Sequence, residues 1–178
     1  MRLIAVVLTF GLLTSIANGD ETEYRLTGAN TKIEWTATKP DGKHNGGFRK
    51  LKGSAVVADD SLRVNVDIDC ASLYADVDKL TKHLKSPDFF SVKEFPRASF
   101  KSTSIEKKGK GYEVTGDLTL HGKTKEITFP ANIVTKGKFT LTGSVTINRQ
   151  DFGLSYGPGK IDDDVAIRLR VDAKRSAK

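Results

Sequence analysis

Seven side chains carry most of the polar chemistry that this sequence offers: His44, His83, His121, Cys70, and the acidic run Asp162, Asp163 and Asp164. Histidine can act as a general base or a metal ligand near neutral pH, a thiolate is a nucleophile, and grouped carboxylates take calcium. Their spacing argues against each use. No two histidines stand four residues apart, the separation that sets a zinc pair on one helical face. Cys70 falls in phase with Val64, Val66 and Ile68, the place of a small buried residue rather than a reactive thiol. The acidic run lacks the alternating oxygen ligands and distal Glu of a calcium loop, and reads as a solvated strand entry. No Gly-x-Ser-x-Gly elbow occurs. The sequence therefore predicts no catalytic set, no metal ligands and no cofactor. His121, before Gly122, reads as a turn residue bonded to nearby backbone, and Arg149 is expected to pair with Asp151 and fix Phe152.

The elements that carry these residues are set by an alternation of period two. Tyr112, Val114, Gly116, Leu118 and Leu120 alternate with Glu113, Thr115, Asp117 and Thr119, which makes a strand with one dry and one wet face. The same grammar recurs at Ile33, Trp35 and Ala37, at Ile127, Phe129, Ala131 and Ile133, at Phe139 to Ile147 and at Val165 to Ala173. Gly, Pro and Asp clusters punctuate these runs at intervals that suit antiparallel hairpins. Strands are predicted near 31–39, 48–58, 62–70, 98–106, 112–120, 125–135, 138–148 and 164–174. One-sided strands must curl around a shared interior or pack as two sheets, and eight suffice to close an antiparallel barrel with room for one small ligand. The fold class is all-β, with one exception.

Between Ser72 and Lys93 the period changes. Val77, Leu80 and Leu84 recur at three and four residues while charged side chains fall between them, which predicts a short helix with one apolar stripe. It ends before Pro87. An aromatic-rich connection follows, with Phe89, Phe90 and Phe95. This insertion reads either as a lid at a barrel end or as a plug that closes the core.

Residues 1–19 read as a signal peptide. Met1 and Arg2 start it, an apolar run extends from Leu3 to Ile16, and Ala17 and Gly19 put small residues where a signal peptidase reads. The run is short of the roughly 20 apolar residues of a membrane span. A periplasmic or secreted protein is expected, with residues 20–178 as one domain. A lone cysteine forms no internal disulfide, so stability must come from burial and backbone pairing. The chain carries 29 basic and 22 acidic residues, a net charge of +7. The two signs are interspersed, and the cluster Lys107, Lys108 and Lys110 sits between turn glycines, so a solvated hairpin tip is expected and nucleic acid is not.

Three separated motifs resemble one family. Leu80 to Phe90 followed by Phe95-Pro96-Arg97-Ala98-Ser99-Phe100, then Thr115 to Gly122 with Thr124-Lys125, then Ile147-Asn148-Arg149-Gln150-Asp151-Phe152-Gly153 are similar, in this order, to the YceI-like family of exported lipid-binding proteins. Lys43-His44-Asn45-Gly46-Gly47-Phe48 resembles a subset of that family. The resemblance implies an antiparallel, lipocalin-like barrel whose interior binds a long isoprenoid chain.

A dry interior suits such a ligand, since each polar atom buried without a partner costs about 1–3 kcal/mol. The inward set pairs large residues (Trp35, Phe100, Leu118, Leu120, Phe129, Phe139 and Ile147) with small ones (Ala37, Cys70, Ala98, Gly116, Ala131 and Gly143). Either the small residues leave a cavity or the two kinds interdigitate into a solid core; the resemblance favours the cavity. With Phe48, Leu84, Phe89 and Phe90 added at the loop and helix, these large residues are the expected lipid-binding set. The expected function is an exported carrier or store of a polyisoprenoid or quinone-like lipid, as a monomer or homodimer; a secreted hydrolase or lyase using the same pocket is the competing reading.

Overall fold

The structure is a computed structural model and describes residues 21–59 and 61–175. The expected signal peptide, 1–19, lies outside the described residues. The chain runs β1 (Thr22–Thr27), β2 (Thr31–Lys39), β3 (Gly42–Phe48), β4 (Leu51–Ala58), β5 (Ser61–Asp69), β6 (Leu73–Ala75), α1 (Asp78–Leu84), β7 (Arg97–Lys108), β8 (Gly111–Leu120), β9 (Lys123–Val134), β10 (Phe139–Asn148) and β11 (Asp164–Ala173). The strands form one antiparallel sheet in the order β1-β4-β5-β7-β8-β9-β10-β11-β2-β3-β6. The fold is thus an all-β, antiparallel curled sheet with one short helix.

The described residues form eleven strands, not the eight expected. Three extended runs, 22–39, 42–58 and 61–75, are each broken once, so each yields two strands. The breaks lie side by side. The amide of Arg49 donates to the carbonyl of Ser72, the amide of Lys50 donates to the Ser72 hydroxyl, and a β-carbon on Gly28 would collide with the Arg49 carbonyl. The result is a crease across three neighbouring runs. On one side of it β4 pairs with β1 and β5; on the other, β3 pairs with β2 and β6. Because β2 also pairs with β11 while β5 pairs with β7, the crease lets the sheet curl back on itself. The expected strands 31–39, 48–58 and 62–70 each covered one side of a break, so β1, nearly all of β3 and β6 lay outside them.

The alternating residues face as expected elsewhere. Val64, Val66, Ile68, Val114, Leu118, Leu120, Phe129, Leu141 and Ile147 are buried in one core, and each strand turns its charged residues outward. Cys70 lies in a short 3-10 turn, Cys70–Ser72, buried in that core. Burial and the neighbouring Asp69 push its thiol up to about 11. The hairpin between β7 and β8 carries the lysine cluster at an exposed tip, where Lys108 pairs with Glu113 at 2.7 Å.

The helix is shorter than its periodicity suggests. Val77 is the residue before the first turn and is 46% exposed, so it does not belong to the apolar stripe. Leu84 is buried and Leu80 partly so, packing with Leu73, Phe89, Trp35, Phe48 and Ile161 in a second cluster. The helix ends at Leu84, before Pro87.

Candidate ligand cavity

The curled sheet encloses a cavity of about 220 Å³ whose wall is almost entirely hydrocarbon. It follows β2 from Thr31 to Lys39, a run of roughly 26 Å at the rise of an extended strand. Ten of the eleven expected binding residues stand in its wall. Trp35, Phe100, Leu118, Leu120, Phe129 and Ile147 line it from the strands, and Phe48, Leu84, Phe89 and Phe90 line it near the helix.

Phe139 is the exception and does not line the cavity. Its ring is fully buried against Tyr24, at 5.6 Å between centroids, and the Tyr24 hydroxyl donates to the Thr135 carbonyl at 3.3 Å. Strand β1 covers this part of the interior, so the phase of β10 points Phe139 into solid core. Gly116 and Gly143 do not open on the cavity either. The Phe100 ring covers the first and the Phe129 ring approaches the second, with the two rings 5.9 Å apart. At these positions, large and small residues interdigitate; the cavity lies elsewhere along the same interior.

One end of the cavity is covered by the helix, the aromatic connection and the loop 153–163. Phe90 meets Phe48 edge-on at 6.1 Å. Across the seam, the Tyr156 ring lies 4.8 Å from His83 and 4.8 Å from Phe89. Arg149 holds the loop from beneath. Only 4% exposed, it donates to the carbonyls of Leu154, Tyr156, Ile161 and Asp162 and pairs with Asp163 at 2.8 Å. The expected partner was Asp151, which is exposed. A residue two positions away in a tight turn cannot reach a guanidinium directed inward, whereas the returning loop can. Phe152 is buried as expected.

The acidic run serves this same loop. Asp162 accepts from the Thr38 hydroxyl, Asp163 accepts from Gln150 and Arg149, and Asp164 opens β11. Among the described residues, no three His, Cys, Asp or Glu side chains gather as a metal site. The histidines also stay apart. His44 Nδ1 lies 3.0 Å from Asp76 Oδ1, His83 Nε2 lies 3.1 Å from Asp88, and His121 Nδ1 lies 3.2 Å from the Phe152 carbonyl. Of the three, His44 lines the cavity. Asp76 also accepts the Asn45 amide at 2.9 Å, and that backbone bond, with His44 adding to it, holds its carboxyl below the usual carboxylate value. Tyr156, Ile161 and the Arg149 carbonyl network escaped the sequence reading, because a loop between Gly153 and Asp163 shows no period.

An antiparallel sheet curled about a dry, covered cavity defines a class of small β proteins with a ligand-sized interior. The chain matches the YceI-like domain over residues 24–173 and belongs to that family. It is 38% identical over 118 residues to a UPF0312 protein of Pseudomonas putida strain W619, covering 62% of this chain and 61% of that protein. A UPF0312 protein of Photorhabdus laumondii is 35% identical over 116 residues, covering 60% of each chain. The chain thus spans about three fifths of the length of these relatives. Among solved structures, BcnA of Burkholderia cenocepacia shares the fold with a TM-score of 0.76 at 24% identity, over 83% of this chain and 98% of that one. The YCEI protein of Campylobacter jejuni gives 0.65 at 28% identity, over 75% and 85%. A polyisoprenoid binding domain from Saccharophagus degradans, implicated in plant cell wall breakdown, gives 0.65 at 13% identity, over 88% and 100%. Among the described residues, no helix is long and apolar enough to cross a membrane.

Proposed function

We propose that this protein is an exported, lipocalin-like binding protein that carries or stores an isoprenoid lipid, a polyisoprenoid or a quinone-like molecule, in its cavity. The observation that carries the reading is the hydrocarbon wall. An enclosed space lined by Trp35, Phe100, Phe129, Leu118 and Ile147 excludes polar ligands, which would lose their bonds to water without replacement, and accepts an apolar chain. The shared fold with a polyisoprenoid binding domain supports the ligand class. The separation of His44, His83 and His121 onto different partners supports binding over the hydrolase or lyase alternative.

Extraction of the purified full chain with organic solvent, followed by mass spectrometry, tests the reading. An isoprenoid in the extract at near-stoichiometric amount is the expected result. An extract without lipid, together with no uptake of a fluorescent isoprenoid, rejects it. Export follows from the apolar run of residues 3–16, and sequencing of the mature N-terminus should begin at Asp20; a mature chain that begins at Met1 contradicts this route.

A further inference from the structure

The wall of the cavity is not bonded throughout. Strands β9 and β10 follow each other in the chain, yet they pair over only four residue pairs, from Thr140 with Val134 to Gly143 with Ala131. On their other sides the same strands are fully paired, β9 with β8 over nine pairs and β10 with β11 over ten. Beyond Gly143 the two run on as facing lips without a ladder between them, Lys123 to Pro130 on one side and Ser144 to Asn148 on the other. Ile127 and Phe129 on the first lip, and Val145 and Ile147 on the second, line the cavity. The unbonded seam therefore runs along the cavity wall.

Pro130 stands where the ladder stops. Its carbonyl oxygen lies 3.1 Å from the place a β-carbon on Gly143 would take, so its backbone faces β10. In an antiparallel pair one residue turns its N–H and C=O to the same neighbour, and the N–H that proline lacks is one that would have reached β10. Proline in a sheet belongs at an edge for this reason, and toward β10 the first part of β9 is such an edge. The lip residues Thr128, Ser144 and Thr146 are exposed, where water can take their backbone groups. At its far end the seam is bridged by the turn 149–152, whose Phe152 is fully buried and turns its carbonyl to His121 Nδ1 at 3.2 Å. A second seam that stops short, between β5 and β7, is stitched: the Val64 amide donates to the Ser102 hydroxyl at 2.9 Å.

We propose that the seam between β9 and β10 is a lateral portal through which an isoprenoid chain slides into and out of the cavity. The proposal rests on reading the cavity as an isoprenoid site. Parting the lips breaks no ladder bond, whereas parting either strand from its other neighbour disrupts a full ladder. A long chain can then enter sideways along its length instead of threading end-on past Phe89, Phe90 and Tyr156. Those rings close one end of the cavity; removing one opens a second exit without making that end the normal route.

The test follows uptake of a fluorescent isoprenoid by lipid-stripped full chain in stopped flow. Thr128→Cys with Thr146→Cys puts one thiol on each lip, opposite each other when the register of the paired part is continued. A short bis-methanethiosulfonate staples them, and the buried Cys70 does not compete for it. The staple should slow uptake and release about tenfold or more, as closing a gate does, leave equilibrium affinity within about twofold, and be reversed by reductant. Two control staples should leave the rates within about twofold: Asn132→Cys with Thr142→Cys across the paired part, and His83→Cys with Tyr156→Cys across the covered end. Pro130→Val restores the missing amide and needs no cross-link; it should slow uptake severalfold at unchanged affinity. Uptake at the wild-type rate in both the stapled seam and Pro130→Val overturns the portal, as does a staple at the covered end that slows uptake as much as the seam staple. The isoprenoid reading stands in either case. No uptake by the unstapled protein overturns both.

Discussion

The ring of Phe100 covers the place where Gly116 lacks a side chain. A β-carbon on Gly116 would stand 2.6 Å from Phe100 Cζ and 2.5 Å from the Lys101 carbonyl oxygen. At Gly143 the nearest atoms are the Pro130 carbonyl at 3.1 Å and the Phe129 ring at 3.2 Å. Read as inward-facing gaps, both glycines suggest that Leu there would fill the cavity and cost mainly binding; their neighbours show instead that both serve packing. Gly116→Ala is expected to destabilise by about 1–3 kcal/mol, as overpacking does. Gly143→Ala should cost less, since its nearest atoms stand more than 0.5 Å farther off, at 3.1 Å and beyond, where shifts of a few tenths of an ångström suffice. Urea denaturation measures both, and the reverse order contradicts this account.

Arg149 should matter more than any exposed charge near it. Arg149→Met removes the donor to four loop carbonyls and leaves Asp163 with Gln150 as its side-chain partner. Each buried carbonyl left without a donor costs about 1–3 kcal/mol, while Asp163 is half exposed, so the loss should come mainly from the carbonyls and the loop 153–163 should become sensitive to protease. Asp151→Ala, at an exposed position, should change stability by less than about 0.5 kcal/mol. Similar effects of the two would restore the pairing expected from their closeness in sequence.

Phe89 and Phe90 cover the cavity from different sides. Phe89 packs with His83 and Tyr156, and Phe90 with Phe48. Each Phe→Ala is expected to speed release of bound isoprenoid severalfold while circular dichroism keeps its strand signal; Phe89→Ala should also cost about 3 kcal/mol or more, because that ring is buried. Loss of the fold with no selective loss of retention would make both rings plain core.

Asp76 gives stability a dependence on pH. Its folded carboxyl is held below the ordinary value of 3.8, mainly by the Asn45 amide. A depressed folded value stabilises the folded state above the unfolded value, and that contribution is lost as pH falls through the folded one. The wild-type chain should therefore lose more stability than Asp76→Asn between pH 7 and pH 2. Identical pH profiles for the two proteins would show that the carboxylate contributes nothing.

Cys70 should be inert while the fold holds. With its thiol pushed up to about 11 by burial and Asp69, it is almost wholly protonated at pH 8, and thiolate is the reactive form. Iodoacetamide should label it only when denaturant is added. Rapid labelling of the native protein at pH 8 would mean that the 3-10 turn opens readily.

Much of this molecule was legible without coordinates. Side chains of period two assign strands and their dry faces because the pleat allows no other arrangement, so Trp35, Phe100, Leu118, Leu120, Phe129 and Ile147 could be placed inside. The helix was legible as far as Leu80 and Leu84, and Pro87 marked its limit. What period cannot convey is position along the interior. Phe139 and Phe129 share one pattern, yet Phe139 is packed under β1 while Phe129 faces the cavity. The crease at Gly28, Arg49 and Ser72 was likewise invisible, because it depends on three breaks meeting side by side in the sheet. Tertiary structure alone brought Arg149 to Asp163 and Tyr156 to His83 and Phe89, since those contacts are made across elements and loops whose approach no local pattern records. Local stereochemistry thus decided which residues face inward; the curling of the sheet decided which of them line the cavity.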